Sequence, residues 1–286
     1  MTEKAYAKIN LYLDALGIRD DGFHDIKSIM HSIELCDELE FIIDSSSLPQ
    51  IELTCDDPKL PTDKTNIVYR AAEAYLNRFN LSAKLIINIM KKIPVCAGLG
   101  GGSSDGAATL RALNRHFGLA NDKELLEIAG SIGSDVPFCL IGGAALCEGR
   151  GEILTPIQPL KATHTVVAIG KERVSTPKAY SDVDRKYPDL SAREGNINVL
   201  HKLMNESLNG ADIKELYNIF EEVVDLHEIG EIKKIMLSNG ATTALMSGSG
   251  PSVFGFFSSR ECAEETSRLL TSLGYQAFYT TTIDKI

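Results

Sequence analysis

The sequence has no tryptophan, and its six cysteines (Cys36, Cys55, Cys96, Cys139, Cys147 and Cys262) form no Cys-x-x-Cys pair. Thiols scattered without ligand spacing argue against a zinc site or a disulfide framework, and fit reduced thiols in a cytoplasmic protein. No stretch approaches the roughly 18 apolar residues that a membrane span requires. The start, MTEKAYAKINLYL, carries Glu3, Lys4 and Lys8 where a signal peptide would have an unbroken apolar segment. Positive charge is also in short supply. Against 39 Asp and Glu there are 29 Lys and Arg, a formal net charge of -10. That balance argues against nonspecific binding to nucleic acid or to anionic membrane. It does not forbid a local cationic pocket for a small anion. No fixed-period repeat or low-complexity tract is present.

What is there is the composition of a globular protein, 286 residues with 44% hydrophobic and 24% charged, enough for one large or two ordinary domains. AKINLYLDALGI alternates, with Ile9, Leu11 and Leu13 opposite Asn10, Tyr12 and Asp14, and reads as a strand. RDDGFHD interrupts it as a polar loop. IKSIMHSIEL and DELEFII resume extended structure, SSSLPQ is a surface turn, and IELTCDD is a short strand. TNIVYRAAEAYLNRFN is a helix that starts near Thr65 or Asn66. KLIINIMKKIP sets Leu85, Ile87 and Ile89 against Ile86, Asn88 and Met90, and Pro94 ends that strand.

SSDGAATLRALNRHFG is helical up to Gly118, and DKELLEIAGSIG is a second helix capped by Asn121 or Asp122. SDVPFCLIGGAALCEGRGEIL holds a polar turn, a short apolar stretch and a strand. Past residue 160, THTVVAIG is a strand and VSTPKAY begins a connector toward helices. YPDLSAREG is the best candidate for an exposed linker. DIKELYNIFEEVVD places Ile213, Leu216, Tyr217, Phe220, Val223 and Val224 on one helical face. EIGEIKKIMLSNG is a helix stopped by Gly240. TTALMSGSGPSVFGFFSS reads as strand, glycine turn, strand; a helix (RECAEETSRLLTSL) and a strand (QAFYTTTI) follow. Strands backed on one face by helices make this part an α+β layer.

Between Pro94 and the second helix lies AGLGGGSSDGA, with four glycines from Gly98 to Gly102. Glycine weakens regular structure, so such a density signals a need for bare backbone. A strand, a glycine loop and a helix N-terminus in this order build an anion site. The first helical N–H groups lack partners, the macrodipole adds positive potential, and glycines let polyphosphate approach the main chain. Ser103 and Ser104 add hydroxyls for phosphate oxygen or metal. A mere turn would need one glycine. The Walker pattern is absent, since no Gly-Lys-Ser/Thr occurs, and a dinucleotide fingerprint would require glycine where Ser103 stands. Gly102-Ser103-Ser104-Asp105-Gly106 also spells the G-x-S-x-G of a nucleophile elbow. Nine residues separate Pro94 from Ser104, whereas an elbow turns directly off its strand. Phosphate binding is the reading these residues favour.

PVCAGLGGGSSDGAATL resembles the glycine-rich phosphate motif of the GHMP small-molecule kinases. AKINLYL, TNIVYRAA, GSDVPFCLIGG and MSGSGPSVFG follow that family's order along nearly the whole chain. The resemblance implies an α+β fold of two domains, about 1–158 and 159–286. The N-terminal one is ribosomal-protein-S5-like with a left-handed crossover, the C-terminal one ferredoxin-like, and the active site lies in the cleft. RDDGFHDIKSIMHSIELCDELEF, SDVPF and VSTPKAY resemble the branch that acts on a CDP-linked methylerythritol in the non-mevalonate isoprenoid route. It implies ATP-dependent phosphorylation of that acceptor's 2-hydroxyl, with Mg2+, by a cytoplasmic monomer or homodimer without nucleic-acid or membrane partners. A mevalonate- or homoserine-type acceptor is the alternative, and a nucleotide-binding module without catalysis a third reading.

The resemblance also implies roles. Asp135 is matched to the base, and Lys8 to a cation that keeps that carboxylate ionised and eases loss of the hydroxyl proton. Otherwise Asp135 would be a helix N-cap and Lys8 a solvated strand residue. Asn66 and Lys91 match adenosine-side contacts, next to Pro94. Gly98, Leu99, Gly100, Gly101, Gly102, Ser103 and Ser104 would wrap the phosphates. Phe23 and Tyr180 match rings that sandwich cytosine, His24 the residue that hydrogen-bonds it, and Asn10 and Thr176 the lining of that pocket. Phe23 replaces the family's commoner tyrosine and Cys96 a commoner glycine. No residue is assigned as a metal ligand, and Asp105 is expected to point away from phosphate or act through metal or water.

Overall fold

The structure, a computed structural model, describes residues 1–45, 48–190, 196–205 and 213–286. It is an α+β protein with two compact units. One comprises residues 1–7, 35–95 and 100–141, and the other residues 8–34, 96–99 and 142–286. Two long strands, β1 (Thr2–Ile18) and β2 (His24–Asp44), contribute residues to both.

In the first unit, Glu38–Asp44 of β2 runs antiparallel to β4 (Lys84–Met90), and β3 (Gln50–Cys55) lies parallel to β4. The alternation of β4 holds: Leu85, Ile87 and Ile89 are buried while Ile86, Asn88 and Met90 are only partly so. Helices α1 (Ile67–Arg78), α2 (Gly101–Phe117), α3 (Asp122–Ile132) and α4 (Val136–Ile141) pack together. Their ends follow the local chemistry. Asn66 Oδ1 accepts from Val68 N at 2.8 Å. Asn121 and Glu124 form a reciprocal capping box, and Gly118 closes α2 in the left-handed region, with φ 67°.

In the second unit, Ser28–His31 of β2 pairs antiparallel with β5 (Ala144–Glu148), which pairs with β6 (Ile153–Pro156). A separate antiparallel sheet has the order β11 (Gln276–Thr281), β7 (His164–Ile169), β10 (Val253–Phe257), β9 (Ala241–Met246). Helices α7 (His227–Ser238) and α8 (Arg260–Ser272) cover it, as the α+β reading requires. Helices α5 (Thr176–Lys186) and α6 (Ile197–Asn205) precede them. On β1, Ile9 through Asp14 are buried without exception. The strand is covered on both faces, so its polar residues must find partners inside.

Four expectations need correction. The helix read over 212–225 is absent from the described part, residue 213 onward. Tyr217–Asn218 form a short strand, β8, parallel to β1, and Ile219–Glu222 a 3-10 turn. Asn218 is the reason. Its Nδ2 donates to the carbonyls of Met246 (2.7 Å) and Gly248 (2.8 Å), and its Oδ1 accepts from Phe220 N. Those tertiary bonds outweigh a helical period. VSTPKAY is more than a connector, because α5 begins at Thr176. The apolar stretch VPFCLI is the short helix α4. α2 opens at Gly101, two residues before the serines, which leaves Asp105 beyond its first turn. Of the expected linker, residues 191–195 lie outside the described residues, as do 46–47 of the surface turn; Leu190 is buried.

Candidate active site

The glycine loop has two supports. Residues 96–99 belong to the second unit. There Leu99 O accepts from Lys8 N at 2.9 Å and Ala97 O from Ser252 N at 3.3 Å. Gly98 has φ 78°, and a Cβ on it would collide with the Ser247 carbonyl. Ser247 Oγ also donates to Gly98 O at 3.0 Å. The residue before this pair, Cys96, takes φ 56° without being glycine, a conformation that disfavours a side chain by about 1–2 kcal/mol. Glycine's freedom is therefore used at Gly98 and not at the loop entrance.

Residues 100–104 belong to the first unit. Gly100, at φ 70°, is the N-cap of α2 and supplies no side-chain cap. Seventeen residues of helix thus start with no side chain of the cap satisfying their first N–H groups, which is the arrangement that attracts an anion. The two serines differ. Ser104 is buried and its hydroxyl donates to the Tyr6 carbonyl. Ser103 stays half exposed beside exposed Gly102. Pro94 is half buried between β4 and the loop, and Leu99 is buried.

Beneath this helix start lies a charged cluster. Lys91 Nζ is bound to Asp37 Oδ2 and, at 2.7 Å, to Asp105 Oδ2. Asp37 Oδ1 accepts from the amides of Lys92 (2.6 Å) and Ile93 (2.8 Å). Asp105 Oδ1 is buried and has no partner among the described residues. Burial pushes the Asp105 pKa up to about 8, with Asp37 adding to the shift and Lys91 opposing it. Burial works against the Lys91 charge, but the two carboxylates prevail and raise its pKa. Asp105 turns toward Lys91, and the Lys91 ammonium is engaged by both acids. Asn66, another expected nucleoside contact, spends its amide on the α1 cap and on Pro61 O at 2.7 Å. Asp135 stands half buried directly before α4, where its carbonyl accepts from Cys139 N at 3.0 Å.

The second unit holds the remaining residues. Lys8, buried, donates to Asn10 Oδ1 at 2.8 Å. Asn10 Oδ1 also accepts from Gly248 N at 3.0 Å, and its Nδ2 donates to Ser28 Oγ at 2.7 Å. Among the described residues the second amide hydrogen of Asn10 has no partner. At the β1–β2 turn, Gly22 (φ 80°) lets Arg19 N reach Phe23 O at 2.7 Å. Phe23 is 53% exposed, with the Arg150 guanidinium 5.2 Å from its ring centre. His24 stacks on Tyr180 at 4.5 Å and 25°, and Phe220 meets Tyr180 edge-on at 4.8 Å. Thr176 Oγ1 is 2.7 Å from Ser249 Oγ. The structure thus gathers His24, Tyr180, Lys8 and Asn10 into networks that sequence reading left incomplete. Ser28, Asp37, Asp184 and Asn218 were not anticipated. Only Asp184 had a signal, its four-residue spacing from Tyr180.

The model of the GHMP kinases N terminal domain matches residues 66–143, and that of the GHMP kinases C terminal domain residues 190–276. The chain belongs to the GHMP kinases, a class of ATP-dependent small-molecule kinases. A protein of Clostridium tetani named 4-diphosphocytidyl-2-C-methyl-D-erythritol kinase is 38% identical, over 99% of this chain and 100% of its own length. A protein of Clostridium acetobutylicum with the same name is 40% identical over 93% and 94%. A crystal structure of 4-(cytidine 5'-diphospho)-2C-methyl-D-erythritol kinase superposes with a TM-score of 0.78 at 30% identity, covering 99% of both chains. Within the class, the chain is a member of that kinase family. No helix among the described residues is long and apolar enough to cross a membrane.

Proposed function

We propose that the chain transfers the γ-phosphoryl group of ATP to the 2-hydroxyl of 4-diphosphocytidyl-2-C-methyl-D-erythritol, in the cytoplasm, on the non-mevalonate route to isoprenoids. The observation that carries the phosphoryl-transfer half is the uncapped N-terminus of α2 behind Gly98 and Gly100. Main-chain dipoles there attract a triphosphate without the positive charge this acidic chain lacks.

Phosphoryl transfer asks mainly for alignment and charge stabilisation. Asp135 would accept the hydroxyl proton as the oxygen attacks phosphorus and the bond to ADP breaks. Lys8, fixed by Asn10, would stabilise the negative charge that develops. Gly98 to Ser103 would wrap the phosphates through main-chain N–H groups. Pro94 and Asn66 would border the nucleoside, with Lys91 and Ser104 supporting from beneath through the bonds they already make. Phe23, His24, Thr176 and Tyr180 would hold the cytidine.

Magnesium fits this site as a companion of the nucleotide. Asp105, buried and bound to Lys91, is a poor ligand. Ser103, half exposed in the first turn of α2, would offer its hydroxyl. Phosphates and water would provide most of the oxygens, as is usual for this ion. When bound, the ion supplies charge neutralisation between the phosphates.

The test is ADP release from Mg-ATP with the CDP-linked substrate, run beside mevalonate and homoserine. Turnover of the first and of neither other acceptor is expected. Turnover of mevalonate or homoserine alone would overturn the substrate assignment. Asp135→Asn should lower kcat by about 10²–10⁴, and a fully active variant would remove Asp135 from the chemistry.

A further inference from the structure

His24 Nε2 lies 2.7 Å from Asp184 Oδ1, and the His24 side chain is 9% exposed. Asp184 belongs to α5, which also supplies Thr176 and Tyr180. These three residues are spaced four apart, so they share one helix face. The same stripe therefore offers the ring on which His24 stacks and the carboxylate to which it bonds. A carboxylate only accepts hydrogen bonds, so the hydrogen of this bond sits on Nε2. Nδ1 then carries a lone pair, and it has no hydrogen-bond partner among the described residues.

We propose that Asp184 is a positioning residue that fixes His24 as the Nε2–H tautomer and thereby makes the site specific for cytosine over uracil. It acts through His24, not on the substrate. The exocyclic amino group of cytosine is a donor, and an Nδ1 lone pair accepts from it. Uracil has a carbonyl oxygen at that place, which meets the lone pair with repulsion. The choice between the two bases is thus made by which ring nitrogen holds the hydrogen, and Asp184 makes it. This inference rests on the cytidine reading of the preceding section.

The experiment has a spectroscopic and a binding arm. In 15N-histidine-labelled wild-type protein at mildly alkaline pH, the long-range 1H–15N pattern of His24 should be that of Nε2–H. Finding Nδ1–H would overturn the proposal without any variant. Asp184→Asn and Asp184→Ala should mix the tautomers. Competition by CMP and UMP against the CDP-linked substrate should favour CMP in the wild type. That preference should fall about tenfold or more in both variants, the size of one misdirected hydrogen bond. If CMP does not compete in the wild type, the cytidine reading fails and this inference with it. If CMP competes but the variants keep the wild-type preference or tautomer, the role of Asp184 alone is disproved. Where one variant does not fold, as judged by circular dichroism, the other decides.

Discussion

Gly98 lies so close to Ser247 that the carbonyl oxygen of the serine fills the space where a Cβ would stand. The contact is reciprocal. Gly248, at φ 58°, has its own Cβ direction 3.2 Å from the Gly98 Cα. Two glycine-rich turns from distant parts of the sequence therefore touch through bare backbone. Gly98→Ala should separate them and also strain a left-handed residue, a loss of several kcal/mol between the clash and the conformation. Thermal unfolding and the KM for ATP check this. Wild-type values for both would show that the contact is not required.

His31 is a second point of stress, this time toward acid. Its ring is buried, with Nδ1 donating to Ser32 O at 2.9 Å and Nε2 accepting from Leu160 N at 2.9 Å. Burial brings its pKa down to about 4 from 6.5. The folded state prefers the neutral ring, so the stabilisation is complete above the unfolded pKa and fades as pH falls toward about 4. The whole effect is roughly 3 kcal/mol. Urea unfolding between those limits should show the wild type losing stability on acidification and His31→Gln losing clearly less. Equal slopes would acquit His31.

Asp105 behaves in the opposite sense. Its folded pKa is raised, so its contribution is greatest below the unfolded value and is lost as pH climbs through about 8. Asp105→Asn mimics the protonated acid and leaves Asp37 to Lys91. Relative to the wild type, the variant should gain stability from about pH 5 to about pH 9. Melting temperatures at the two pH values give the answer, and a constant difference would contradict it.

Phe23 is exposed, so its removal tests binding with little effect on packing. Phe23→Ala should raise the KM for the CDP-linked acceptor on the order of tenfold to a hundredfold, with kcat nearly constant, because stacking is remote from the reacting oxygen. An unchanged KM would discredit the stack.

The features legible in the sequence were those decided by neighbours along the chain. Asn66, Asn121 and Gly118 end helices through bonds within a few residues. The alternation of β4 needs only a buried and a less buried side. What escaped was decided across long separations. Asn218 abandons a helical pattern for carbonyls 28 and 30 residues away. Asp184 meets a histidine 160 residues upstream, and Asp37 meets Lys91 54 residues on. No period or spacing announces such partners. The glycine loop leading into a helix N-terminus was legible, yet its support by Ser247 and the difference between Ser103 and Ser104 were not.

The pairing of Tyr12 with Tyr217 has a consequence for biosynthesis. Strand β1 acquires one of its neighbours only after some two hundred more residues have been added, roughly 10–40 seconds at ordinary elongation rates. During that wait an apolar ribbon trails from the ribosome with an open edge. Slow codons or chaperone shortage before that point would then hurt yield more than the same delay afterwards.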